Sequence, residues 1–87
     1  MFVDNLTKHI NTIETLFRDD DISGFEKEIH KLKGTGGNYG YHILSFQCES
    51  IEQNIRDNAG EQIKEQIEEL KYIAQGIVAG FDLQKAS

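Results

Sequence analysis

HKLKGTGGNYG, residues 30–40, holds four of the chain's eight glycines within seven positions, directly downstream of an amphipathic helical pattern. Whether the stretch continues that helix or breaks it decides how many helices the 87-residue chain forms. Each glycine in a helix interior costs about 1 kcal/mol relative to alanine, so four cost up to roughly 4 kcal/mol out of a typical total stability of 5–15. Read as helix, the stretch carries the stripe Ile22, Phe25, Ile29, Leu32 onward to Gly36 and Tyr39 at helical spacings. Read as loop, it leaves two shorter helices and puts His30 on the last turn of the first. A phosphate-cradling loop is a third alternative, which the spacing disfavours. There is no GxxxxGK(S/T), Tyr39 stands where the third glycine of GxGxxG would be, and no strand precedes it.

The flanking sequence is helical throughout. Phe2, Leu6, Ile10, Ile13 and Phe17 form one stripe, predicting a first helix over 2–18. Asp19-Asp20-Asp21 interrupts it. Ser23-Gly24-Phe25-Glu26 fits a capping box, and Asp21 is an equally good N-cap, so the second helix begins between them and runs over 22–39. Leu44, Cys48, Ile51 and Ile55 mark a third helix over 42–57, stopped at Asn58-Ala59-Gly60. Ile63, Ile67, Leu70, Ala74, Ile77 and Phe81 mark a fourth over 61–82, widened by Ile73 and Val78. No run of four residues alternates with period two and proline is absent, so strands have little support. Four amphipathic helices with short joints predict an all-α, antiparallel up-down-up-down four-helix bundle spanning 1–87 as a single domain.

Composition narrows the partners. Five phenylalanines and 38% hydrophobic content lift the chain out of the disordered class, and its length encloses one core rather than two. Nine basic against fifteen acidic residues give a net charge of −6, which repels nucleic acid and anionic membrane surfaces. The single Cys48 excludes an internal disulfide, and the sequence has no signal peptide pattern and no apolar run near 18 residues. The chain reads as soluble, cytoplasmic and, with a polar face on every helix, monomeric. Met1 and the short ends favour a free-standing domain.

On a helical projection His30 lies roughly 135° from the centre of the second helix's apolar stripe, facing solvent. Gly34 falls about 40° to one side and Gly37 about 20° to the other, while Lys27 and Lys33 each lie about 60° away. Lys31 adds a third ammonium within seven positions. Gly36 and Gly40 point toward the core side, where a missing side chain lets helices approach. A neutral imidazole is a nucleophile that can carry a covalent group, and Lys33 one turn on could stabilise an incoming anion such as a phosphoryl group. These residue types suffice for group transfer but do not build a complete active site.

HKLKG at 30–34, with Gly37, Asn38 and Gly40, then Leu44, Cys48, Ile51 and Glu52, resembles the histidine-containing phosphotransfer (HPt) domains of bacterial multistep phosphorelays. The likeness is dense over residues 21–52. It implies that His30 is the phosphoacceptor, Lys33 its electrostatic partner and Gly34 the gap that admits the partner's active site, with Gly37 a small position beside it. It implies reversible transfer between His30 and the aspartate of a response-regulator receiver domain, within a relay that includes a hybrid sensor histidine kinase. The chain would have no cofactor of its own, the receiver bringing Mg²⁺, and would be a phosphocarrier rather than an enzyme. Lys27 and Lys31 would complete a basic rim facing the receiver's acidic pocket.

The rival reading is a helical docking module that carries no phosphate and uses Lys27, Lys31 and Lys33 only for electrostatic recognition. Other residues attract blander readings. His9 falls at the boundary of the first helix's core, and His42 near the start of the third suits surface or capping duty. His9, His30, His42 and Cys48 lack zinc-ligand spacing. Cys48 sits on an apolar stripe, where cysteine packs as a small hydrophobe. Asp19–Asp21 and Glu65, Glu68, Glu69 read as a capped loop and a solvated face. Gly76 and Gly80 mark either a close crossing or fraying.

Overall fold

The computed structural model describes residues 2–79. They form four α-helices: α1 (Phe2–Arg18), α2 (Ile22–Asn38), α3 (His42–Arg56) and α4 (Gly60–Val78). Consecutive helices pack side by side and α1 closes against α4, giving an all-α antiparallel bundle. The expectations for Gly80, Phe81 and the end of the fourth helix fall outside the described residues.

All three joints use one device. Asp20, Gly40 and Asn58 take left-handed φ values of 62°, 83° and 55°. In each joint the next N–H reaches back five residues: Asp21 to the Leu16 carbonyl, Tyr41 to Gly36 and Ala59 to Asn54, at 2.8–2.9 Å. The left-handed residue itself donates to the carbonyl three back. These paired bonds satisfy carbonyls that a helix end leaves bare. Asp21, Tyr41 and Ala59 then serve at once as N-caps of the following helices, so each reversal takes only three residues. At α2 the ambiguity between Asp21 and Ser23 is resolved: the Asp21 carboxylate accepts from the Gly24 N–H at 3.1 Å.

One core runs the length of the bundle. Leu6, Ile10 and Ile13 of α1, Phe25, Ile29 and Leu32 of α2, Leu44, Cys48 and Ile51 of α3, and Ile63, Ile67, Leu70, Ala74 and Ile77 of α4 are all buried. Phe17 stacks tilted against Phe25 with ring centroids 5.1 Å apart, sealing the end beside the first joint. The predicted stripes overreach at their ends. Ile22 and Val78 are exposed, and Tyr39 is 55% exposed because α2 stops at Asn38 and Tyr39 is its C-cap. Gly40 likewise does not face the core; its positive φ makes the turn.

Gly34, Gly36 and Gly37 are helical, which excludes the loop reading of residues 30–38. Gly36 is buried, and a Cβ there would stand 3.2 Å from Leu44 Cδ2, so its bare backbone sets how closely α2 approaches α3. Gly34 has nothing within 4 Å of a Cβ position. We expect Gly34→Ala to stabilise the bundle by about 1 kcal/mol through helix propensity alone. Gly36→Ala gains less because its methyl crowds Leu44, and Gly36→Leu loses about 1–3 kcal/mol by overpacking. Denaturant unfolding of the three variants checks this, and equal gains at 34 and 36 would contradict the assignment of Gly36 to a helix contact.

Candidate functional site

The close approach of α2 and α3 brings His30 and Lys33 of one helix against Glu52 of the other. Glu52 is the sole buried charged residue among those described, at 7% exposure. Its two oxygens are divided: Lys33 Nζ lies 2.6 Å from Oε1, and His30 Nδ1 lies 3.0 Å from Oε2. Burial alone would push the Glu52 carboxyl up, but the hydrogen bonds from Lys33 and His30, with the Lys33 charge, hold it below the usual carboxylate range. The same bond from Glu52 raises the Lys33 ammonium, against a smaller opposing effect of desolvation.

An ionised carboxylate has no proton to give, so the His30–Glu52 bond has one direction: Nδ1–H donates to Oε2. The neutral ring is thereby set in the tautomer whose lone pair is on Nε2. The His30 side chain is 69% exposed, and Nε2 makes no hydrogen bond among the described residues. Geometrically this is a nucleophilic nitrogen presented to solvent by a ring whose other nitrogen is anchored.

Around it lies an open hollow lined by Glu26, Lys27, His30, Lys31 and Glu52. The rim is therefore of mixed charge, not purely basic. Lys31 pairs with Glu28 at 3.4 Å, on the α1 side of α2. Lys27 is exposed and makes no ion pair among the described residues. Lys33 is the half-buried member of the set and spends its charge on Glu52. Gly34 leaves open space beside His30, and Gly37 lies in the α2–α3 seam, where a Cβ would stand 3.7 Å from Ser45 Oγ.

The remaining candidates stay apart from this site or beneath it. His9, on α1, donates from Nε2 to Glu28 at 3.2 Å and ties α1 to α2. His42 is exposed at the start of α3, whose N-cap is Tyr41. Cys48 is fully buried, and burial followed by the nearby Glu52 carboxylate pushes its thiol up to about 12, which leaves it protonated and unreactive. Glu68 pairs with Lys71, and Glu69 accepts from Gln47 across the α3–α4 seam. Among the described residues, no three His, Cys, Asp or Glu side chains are grouped to hold a metal ion, and no helix is long and apolar enough to cross a membrane.

Glu52 is the site residue that reading the residues helix by helix did not single out. Its signal was its position four residues after Cys48 and beside Ile51, on the edge of the apolar stripe of α3. A carboxylate there must be either exposed by a twist of the helix or partnered.

No curated protein and no solved structure matches the chain significantly. The family model for the Hpt domain matches residues 1–80, which takes in all four helices as far as they are described. The chain belongs to the Hpt domain family, whose members are phosphocarriers of phosphorelay signalling.

Proposed function

We propose that this chain is a cytoplasmic relay intermediate in which His30 Nε2 accepts a phosphoryl group from the aspartyl phosphate of a response-regulator receiver domain and returns it to such an aspartate. The observation that carries the reading is the contact of His30 Nδ1 with buried Glu52 at 3.0 Å on a ring otherwise 69% exposed, which leaves Nε2 as the free nitrogen. In the forward step the Nε2 lone pair attacks phosphorus and a P–N bond forms. The P–O bond to the aspartate breaks, and its electron pair leaves on the carboxylate. The Nδ1 proton stays on the ring, shared with Glu52. In the reverse step that retained proton lets the imidazole depart as a neutral leaving group. One carboxylate thus serves both directions.

Such transfer is dominated by positioning and charge stabilisation, and the receiver supplies its own acidic pocket and Mg²⁺. Lys33 contributes positive charge one carboxylate away from the ring, offsetting Glu52 and the arriving phosphoryl anion. Lys27 and Lys31 complement the acidic receiver pocket, and bare Gly34 and Gly37 let its loops reach His30. Upstream, a hybrid sensor histidine kinase would load the relay. The chain itself is a carrier without a small-molecule substrate.

Incubated with a phosphorylated receiver and Mg²⁺, the wild type should gain one phosphoryl group that is stable in alkali and lost in acid. His30→Gln should gain none while keeping its helical circular dichroism, since its ring is outside the core. A label that persisted in His30→Gln, or a variant that unfolded, would overturn the assignment.

The Glu52 carboxylate also predicts a pH dependence. Because its folded-state pKa is lowered, its stabilising contribution is complete above the ordinary carboxyl pKa, about 4.3. It disappears as pH falls through the lower folded-state value. Thermal melts of wild type and Glu52→Gln should therefore differ by a constant amount near neutrality and converge below about pH 4. A gap that stays constant to low pH would show that Glu52 is not held as a carboxylate.

A further inference from the structure

Phe46 is left over by this account. It is 70% exposed on α3, although every other phenylalanine whose side chain is described packs into or against the core. A single exposed apolar residue needs no explanation, but Phe46 has company. Ile43, one turn earlier, is 37% exposed, and Tyr39 in the adjoining joint is 55% exposed. Contacts from Gly36 to Leu44 and from Gly37 to Ser45 set the register of the two antiparallel helices. Phe46 therefore stands level with residues 34–36 of α2, about 9 Å along the axis from Glu52 and about 120° around α3 from it. Gly37, which faces Ser45 of α3, keeps the seam between the two helices low on the side of His30 nearer α3.

We propose that Phe46 is the apolar anchor of the receiver-docking surface, a specificity-determining residue for the transfer proposed above, on which this inference rests. A protein interface of standard size covers roughly 800 Å² per partner, about 28 Å across, so one footprint centred on the α2–α3 seam at Gly37 spans both His30 and Phe46. The two ends of that footprint differ in chemistry. Lys27 and Lys31 beside His30 attract an acidic pocket, and Phe46 offers a rigid ring to an apolar one, so a receiver with both is held in one orientation. A second copy of this chain fits worse. Each copy carries −6, and exposed Glu49 shares the outer face of α3 with Phe46, so apposed copies would bring carboxylates together.

Two phosphoryl donors separate docking from chemistry. Phosphoramidate is small and needs no docking surface; a receiver domain phosphorylated with acetyl phosphate and Mg²⁺ needs one. Phe46→Ser should be labelled by phosphoramidate at the wild-type rate. From the receiver at subsaturating concentration it should accept about tenfold or more slowly, and at saturation the rate should recover. Tyr72→Ser, which removes an equally exposed ring from α4, should match the wild type with both donors. Unchanged receiver transfer by Phe46→Ser, or equal slowing by Tyr72→Ser, overturns the anchor while leaving the relay intact. A wild-type dimer in sedimentation that Phe46→Ser dissociates would assign the ring to self-association instead. If the wild type accepts from neither donor, the relay reading fails and the anchor falls with it.

Discussion

The proposed phosphotransfer surface depends on one carboxylate that two helices share. Glu52 stands in the α2–α3 seam with Lys33 on one oxygen and His30 on the other. Without Lys33 the buried charge would be poorly compensated, and the pull toward the neutral acid would grow. A protonated Glu52 could donate rather than accept, and the direction of the bond to His30 would no longer be set. The chain of dependence runs from Lys33, through the ionisation of Glu52, to the lone pair on Nε2. In the proposed transfer, electrostatics one residue removed from His30 thus decide which ring nitrogen carries the lone pair.

That arrangement requires α2 and α3 to lie close, and the glycine cluster of residues 34–40 supplies the means by giving each glycine a different task. Gly36 is pressed against Leu44 and brings the backbones together. Gly37 keeps the seam low beside Ser45, and Gly34 leaves the outer surface bare. Gly40, alone of the four, is spent on the turn, with φ at 83°. The helix-propensity loss is tolerated because a packed core and three economical joints surround it. On the opposite side of α2, His9 bonds Glu28 and fastens α1, so α2 is held from both flanks.

The helices were legible because their stripes are long and regular; Leu6, Ile10 and Ile13 or Ile63, Ile67 and Leu70 leave little choice of face. Legibility failed at the ends. Tyr39 continues the spacing of Leu32 and Gly36, but spacing does not report that the chain has already left the helix for a left-handed residue one step on. His30 could be placed on the solvent face from projection, since that depends on one helix alone. The partner of Lys33 could not be placed, because Glu52 is nineteen positions away on another helix and only packing brings them within 2.6 Å. From one helix Lys33 looks like a free cation awaiting an anion, whereas it already has one. Part of the mixed rim was hidden for the same reason: Glu52 comes to the hollow from α3 and joins the lysines of α2 there.

The claim that Glu52 sets His30 to attack through Nε2 is tested most directly by long-range ¹H–¹⁵N correlation spectra of the uniformly labelled protein, before and after phosphoramidate treatment. The account predicts a neutral His30 ring protonated at Nδ1 in the free protein, and a phosphorylated Nε2 with Nδ1 still protonated afterwards. A free ring protonated at Nε2, or phosphorus found on Nδ1, would contradict it.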